Sequence, residues 1–497
     1  MPANSPQPNP IALPLILTLD VGTSSTRAML FDSQARPVPD LQAQIPSQVQ
    51  TTADGGSEFD PAELLRGVIA AIDQVLHLAG PLAQHICGVA LDTLVTNMLG
   101  LDSAGQPLTP VYTYADTRNA ADADALCAEL GGMTAAHDRT GCLIHSAYWP
   151  ARFRWLARTQ PDLYRQTAHW VSLGDYLFQE FLGQRQVSYS VASWSGLLNR
   201  RELAWDREWL VYLSLDEDRL SPLTDVDQPV RGLRSPWAER WPALKDVPWF
   251  PAIGDGAAAN IGSGCAGPQR VALTMGTTGA MRVALEQNPA AAPEGLWVYR
   301  VDRRRALVGG ATSEGGNVYA WLKQSLQLPP DEAEQLAALA PAAHGLTVLP
   351  FVAGERAPGW QSRARASLIG FTLNTRPIEI LRAGLEGVAY RFALIQQRLA
   401  PHLPPDYQII ASGSGLLNSP VWLQIMADVL GHPVIASAET EATSRGVAVL
   451  ALEALDLAQD LPAALGKTYQ PNQVHHARYQ EALATQLDLY RKLVADG

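Results

Sequence analysis

The sequence predicts an α/β fold in two related lobes with a cleft between them. Three observations lead there. First, LILTLDVGTSSTRAMLFD (Leu15–Asp32) and QRVALTMGTTGAMRVAL (Gln269–Leu285) echo each other half a chain apart. Each reads as an apolar strand, a Gly-Thr turn rich in hydroxyls and a second apolar strand. Second, strand patterns alternate with helix patterns along the remainder. Third, 497 residues are too many for one core, so two large domains are expected.

The elements follow in order. Residues 1–12 are polar and Pro-rich and are expected to form a flexible tail. The first domain is expected over 13–252 and the second over 253–497. After the first strand pair, Asp60, Pro61 and Glu63 mark the start of a helix from Pro61 to Leu78. Ile86–Leu91 and Met98–Asp102 read as strands, and Asn119–Leu130 as a helix closed by Gly131-Gly132. Ala151–Thr159 and Gly174–Leu182 read as further helices, and Arg219–Phe250 as the irregular approach to the hinge. In the second domain Ala257–Gly264 reads as a helix, Ala306–Val308 as a strand, and a helix runs through Trp321. Pro377–Leu399 is a long helix, Gln408–Ala411 a strand, and Pro420–Leu430, Ser444–Leu455 and Arg478–Ala495 are helices.

Composition narrows the function classes. Apolar residues make up 47% and charged ones 17%, which fits a compact soluble protein. A net charge of −12 without a basic stretch argues against nucleic acid and anionic membrane as partners. The four cysteines are scattered with no CxxC pair, giving neither a disulfide framework nor a zinc site. Leu13–Leu19 is too short for a signal or membrane span, so the chain is expected to be cytoplasmic.

The turns carry the chemistry. A Gly-Thr turn points backbone N–H groups and hydroxyls into one space, which suits phosphate oxygens. The candidates are Gly22, Thr23 and Ser24 in the first turn and Gly276, Thr277 and Thr278 in the second. Arg27 adds a forked donor for phosphate. Asp20 ends a buried strand beside the first turn. A carboxylate there can hold Mg²⁺ and bring nucleotide phosphates into register; its ordinary alternative is a turn cap. Asp255 stands between two glycines ahead of a helix, where a carboxylate can accept a proton from an attacking hydroxyl. Its alternative is an N-cap, and the phosphate turn at Gly276 favours the base. Ser412–Asn418, with Gly413, Gly415 and Asn418, lies between a strand and a helix, a place for a base or ribose. Gly310 ends another strand as one of a glycine pair and joins the phosphate set. GSGCAG (Gly262–Gly267) follows a helix pattern and so fails as a dinucleotide motif. His475-His476 lacks a partner at metal spacing.

Taken together these stretches resemble the FGGY family of carbohydrate kinases over nearly the whole chain. The resemblance is carried by LDVGTSSTR, YADTR (Tyr114–Arg118), SGLLNRRELAWD (Ser195–Asp206), GDGAAANIGSG, TMGTTGA, GGATSEGG, GERAPGW (Gly354–Trp360), LEGVAYR (Leu385–Arg391) and SGSGLLNSPVWLQIMADVLGHPV. It implies the two-lobed actin-like, ribonuclease H-like fold, with a sugar-binding first lobe and a nucleotide-binding second lobe. It implies transfer of the γ-phosphoryl group of ATP, with Mg²⁺, to a hydroxyl of a sugar, sugar acid or polyol. The family's catalytic aspartate falls on Asp255, its phosphate motifs on the two turns, and its adenosine segment on Gly413, Gly415 and Asn418. Sugar contacts fall near Thr96, Asn97 and Asp116. TYADTR and SGLLNRRELAWD are most like the gluconate kinase branch, so a gluconate-like acid or a ketopentose is the expected acceptor. The Met-His pair common in xylulose and gluconate kinases is Val95-Thr96 here. Family members are often dimers, and a homodimer is carried over as an expectation. Two other readings share the scaffold: a sugar-binding regulator without transfer, and an actin-like ATPase indifferent to sugar.

Overall fold

The computed structural model describes residues 10–495. The expected tail, residues 1–12, lies outside the described residues except for its last three. Two of those are tied down: Ala12 O accepts the Ser33 N–H at 2.8 Å, and Pro10 O accepts Arg36 Nη2 at 3.2 Å.

By backbone proximity the chain divides into two units. One runs to Gly262 and takes back Tyr299–Arg304 and Glu441–Pro462; the other is Ser263–Val298, Arg305–Thr440 and Ala463 onward. The expected division after residue 252 therefore falls ten residues short of the observed one.

The first unit is built on a mixed sheet. Its strands are β1 (Leu15–Val21), β2 (Ser25–Phe31), β3 (Pro37–Pro46), β4 (Ile86–Thr93) and β5 (Ile253–Gly254), in the spatial order β5-β4-β1-β2-β3. β1 pairs antiparallel with β2 and parallel with β4, and β5 runs parallel to β4. Leu15, Ile16, Leu17, Leu19 and Val21 are all fully buried, so β1 reads as an unbroken apolar run. The helix expected from Pro61 spans Pro61–Ala79, with Asp60 accepting the Ala62 and Glu63 N–H groups as its N-cap. Helix α1 (Leu173–Leu182) begins at a Ser172–Asp175 capping box.

Helix α2 covers Asp255–Gly262, two residues earlier at each end than the sequence pattern suggested. Asp255 is therefore the first residue of the helix. α2 packs on the helix Ala442–Ala454, which explains why that late segment belongs to the first unit. The contact is close because both helices present glycine. A Cβ at Gly446 would stand 1.9 Å from Ala258 O, and one at Gly262 would stand 1.8 Å from Ala442 O. Arg445 Nη1 donates to Gly262 O at 2.7 Å and seals the junction.

The second unit repeats the hairpin. β6 (Arg270–Met275) and β7 (Gly279–Leu285) pair antiparallel, β7 continues to β8 (Ala306–Thr312), and β6 runs parallel to β9 (Gln408–Ser412). β9 then leads to β10 (Val434–Ser437) and β11 (Leu465–Tyr469). Helix α3 spans Gly316–Ser325, and the long helix α4 spans Pro377–Leu399. The last expected helix begins earlier, at Gln473. All four cysteines are free thiols. No helix among the described residues is long and apolar enough to cross a membrane.

The glycine junction generates a prediction. Gly446→Ala should overpack it and cost about 1–3 kcal/mol, read as a lower urea midpoint with an unchanged slope.

Candidate active site

Strand register assembles three carboxylates in the first unit. Asp20 on β1 is the Cα partner of Asp92 on β4, and Ile253 on β5 is the partner of Asp92 from the other side. Two residues after Ile253, Asp255 opens α2. The carboxylates thus sit at the carboxyl ends of three neighbouring parallel strands, where open α/β sheets place ligands.

Their environment is hostile to charge. Asp92 is fully buried, and among the described residues its carboxyl has no hydrogen-bond partner other than the neighbouring Asp20 carboxyl. Burial, then the charge of Asp20, then that of Asp255, push its carboxyl well above the usual carboxylate range. Burial also raises Asp20; Asp92 and Arg27 oppose that shift and Glu441 adds to it. Adjacent carboxylates cannot both ionise cheaply, so the pair calls for a shared proton or a cation. Asp255 differs. The Gly256 N–H donates to its Oδ1 at 2.6 Å, and a helix N-terminus favours negative charge.

Asp92 is missing from the sequence expectations. The signal existed: VALDT at Val89–Thr93 has the shape of LTLDV at Leu17–Val21, an apolar run ending in Asp.

The first turn holds its place through the backbone. Gly22 N–H donates to Ser25 O at 3.0 Å, and Ser47 N–H to Ser24 O at 2.9 Å, leaving Thr23 and Ser24 exposed. Arg27 lies opposite Asp20 in the hairpin register. It is not a lone donor, because its Nη1 contacts Glu441 Oε2 at 2.9 Å. Glu441, from the helix that covers the sheet, is a neighbour no local pattern announced.

The expected sugar contacts prove to be engaged in holding the scaffold. Asn97 is buried; its Oδ1 accepts the Leu173 N–H at 2.6 Å, its Nδ2 bonds Leu94 O, and its backbone carbonyl accepts Trp149 Nε1 at 3.1 Å. Thr96 takes a φ of 55°, unusual for a β-branched residue, and its hydroxyl bonds Val95 O at 2.7 Å. Asp116 is buried under Arg118, accepting its N–H and Nε both at 3.1 Å. Arg118 in turn pairs with Glu58 at 2.6 Å and lies 4.9 Å from the centre of the Trp155 ring.

In the second unit the turn Gly276, Thr277 and Thr278 gathers two other glycine segments. Gly316 N–H donates to Gly276 O at 2.8 Å and Asn317 N–H to Thr277 O at 3.0 Å, which docks the start of α3 on the turn. A Cβ at Gly415 would come within 2.8 Å of Gly276 O. Gly413 has φ 88°, and a Cβ there would stand 2.3 Å from Met275 O, so only glycine fits. Asn418 is exposed at the end of this segment. Gly310 is different. It is buried within β8, where a Cβ would meet Ala357 Cβ at 2.7 Å, so packing alone accounts for it. The sequence reading also passed over Glu314. It is buried beside this turn with both oxygens unpartnered, and burial pushes its carboxyl up to about 8.

The two hairpins differ at one matched pair. Thr274 and Ser412 occupy the register positions of Asp20 and Asp92, and their hydroxyls lie 3.0 Å apart. Among the described residues no group of three or more His, Cys, Asp or Glu side chains is arranged to hold a metal ion by itself.

Comparison with known proteins agrees with this geometry. The profile of the N-terminal domain of the FGGY family of carbohydrate kinases matches residues 15–262, and that of the C-terminal domain residues 271–455. A gluconokinase of Bacillus subtilis is 26% identical over 475 residues, covering 92% of this chain and 91% of its own. A glycerol kinase of Alkalilimnicola ehrlichii is 29% identical over 465 residues, covering 90% of this chain and 92% of its own. Among solved structures, gluconate kinase from Lactobacillus acidophilus superposes with a TM-score of 0.88 at 25% identity, covering 97% of this chain and 98% of that one. A ligand-bound xylulose kinase from the same organism gives 0.88 at 25% identity, with 96% and 98% covered.

The buried pair makes a pH-dependent prediction. A carboxyl raised in the folded state binds its proton more tightly there than in the unfolded chain. Stability therefore falls as pH rises from the ordinary carboxylate pKa toward the raised one. Asp92→Asn removes that penalty. It should raise Tm by about 1–4 °C at pH 8 and by less at pH 5 in calorimetry.

Proposed function

The chain belongs to the FGGY family of carbohydrate kinases, and on that premise we propose that it phosphorylates a gluconate-like sugar acid or a ketopentose at the expense of ATP, with Asp255 as general base. The carboxylate trio at adjacent parallel strand ends is the observation that carries this reading. The choice of acceptor rests on the relatives named gluconokinase, gluconate kinase and xylulose kinase.

In the reaction an acceptor hydroxyl lies against Asp255. As its oxygen attacks the γ-phosphorus, Asp255 takes the proton. The new bond joins that oxygen to phosphorus, and the bond to the β-phosphate oxygen breaks to release ADP. Phosphoryl transfer has little covalent chemistry for a protein to perform, so positioning and electrostatics dominate. The backbone N–H groups and hydroxyls of the turn at Gly276, Thr277 and Thr278 suit phosphate oxygens. Gly413 and Gly415 let their segment pack directly on that turn, with Asn418 exposed at its end, a place for the adenosine. Thr23 and Ser24 offer hydroxyls in the first turn. Arg27, steadied by Glu441, lends positive charge beside them. Asp20 and Asp92 are the residues that suit Mg²⁺, since both are raised by burial and the two carboxyls face each other across adjacent strands. The ion, when bound, supplies charge neutralisation for the phosphates.

An ADP-release assay over sugar acids, ketopentoses, ketohexoses and polyols tests this reading. Turnover should need one member of the panel. Hydrolysis indifferent to all of them would favour a sugar-independent ATPase, and no turnover with any would favour a binding protein. With the accepted substrate, Asp255→Asn should lower kcat by roughly 10²–10⁴. Near-normal turnover in that variant would remove Asp255 from the base role. Gly413→Ala should raise KM for ATP and leave KM for the acceptor unchanged.

A further inference from the structure

Helix α1 has the catalytic scaffold at one end and an unassigned cavity at the other. Its first turn belongs to the scaffold: Leu173 N–H bonds Asn97 Oδ1, and a Cβ at Gly174 would press on Ala252 at 2.5 Å. Its last turn, ten residues on, helps to line a cavity of about 620 Å³ within the first unit. A ten-residue helix is about 15 Å long, so the cavity is separate from Asp255.

The cavity collects two arginines and an imidazole. Arg185 lines it; among the described residues it forms no ion pair or hydrogen bond, and its Nε is sealed from solvent without a partner. Asp175 and Asp218 act on this guanidinium only at longer range. His169 stands beside it; its ring bonds the Asp218 backbone, and Nδ1 is buried without a partner among the described residues. Burial, then the Arg185 charge, keep that imidazole below its usual range. Arg234 closes another side, holding only a long 3.4 Å contact to Glu180 O. A sealed guanidinium N–H left without a partner is costly, and an oxyanion that accepts from two nitrogens of one guanidinium edge, as a phosphate can, is the group that fills it best.

The remaining lining is polar and neutral. Gln179 donates Nε2 to Gly105 O at 3.0 Å, which leaves its oxygen to accept a hydroxyl. Gln106 stands nearby, and Glu180 is the one carboxylate in the lining. The volume is in the range of small-molecule sites, roughly 300–1,000 Å³. We propose that this cavity is a second ligand site, which binds the phosphomonoester of a small polyhydroxy compound through Arg185 and Arg234.

Calorimetric titration of the full chain with glycerol 3-phosphate, and separately with inorganic phosphate, tests the assignment. The ester should bind wild type and the Asp255→Asn variant alike. Arg185→Gln and Arg234→Gln should each weaken it about tenfold or more, the scale of one charge-assisted contact. Both arginine variants should keep the basal transfer rate. Arg234 is exposed, so its variant tests the site even if Arg185→Gln folds poorly. The proposal is overturned if wild type does not bind the ester, if both arginine variants bind it as tightly as wild type, or if Asp255→Asn abolishes binding. Equal affinity for inorganic phosphate would overturn the ester assignment.

Discussion

Parallel register is the constraint on which the rest of the first unit's chemistry depends. The ladder between β1 and β4 sets Asp20 beside Asp92, and the ladder between β4 and β5 brings the chain to Asp255. Neighbouring strands are about 4.8 Å apart. At an effective dielectric of about 20, two carboxylates at that spacing repel by roughly 3 kcal/mol. The sheet cannot relax the repulsion by sliding, because β1 is buried on both faces and laddered to β2 on one side and β4 on the other. The hydrophobic burial of Leu15, Leu17, Leu19 and Val21 therefore holds the charges together. Only a proton or a cation relieves them.

The repeated hairpin shows what the carboxylates change. In the second unit the same strand, turn, strand and parallel neighbour recur, but Thr274 and Ser412 stand at the matched positions. Two hydroxyls hydrogen-bond where two carboxylates would repel. The turn that follows carries no negative charge of its own and can present N–H groups to an anion. One backbone design has thus become an acidic strand end in one unit and a neutral donor turn in the other.

This division explains how far the sequence could be read. Both hairpins were legible because each is local: an apolar run, Gly-Thr, and a second run. Pro377–Leu399 and Pro420–Leu430 were also legible to the residue, since proline opens each. Asp92 was not, because its role depends on lying beside Asp20, seventy-two residues away in sequence. Glu441 was hidden for the same reason, and so was the return of the helix Ala442–Ala454 to the first unit. Glu314 looked like an ordinary polar residue in a glycine run; only burial marks it. Gly310 resembled a ligand glycine, whereas its missing side chain makes room for Ala357.

The same argument bears on where acceptor selectivity can arise. Asn97 ties the loop after β4 to α1, and Asp116 is clasped by Arg118, so their polar atoms already serve the scaffold. The residues that crowd the strand ahead of Asp255 are of another kind. A Cβ at Gly254 would stand 2.7 Å from Val95 Cγ1 and 2.8 Å from Trp194 Nε1. Trp194 stacks on Tyr299 at 3.7 Å between ring centres, and the Tyr299 hydroxyl lies 2.5 Å from that of Tyr148. Glycine at 254 is what lets this aromatic wall approach the strand end that leads to Asp255. Aromatic faces suit the C–H face of a carbohydrate, while their hydroxyl and N–H edges keep a polar handle. Val95 now stands where related kinases commonly carry the methionine of the Met-His pair. On the proposed reading, the shape of the Val95, Trp194 and Tyr299 wall is the feature of this unit that can add to what Asn97 and Asp116 offer in telling acceptors apart.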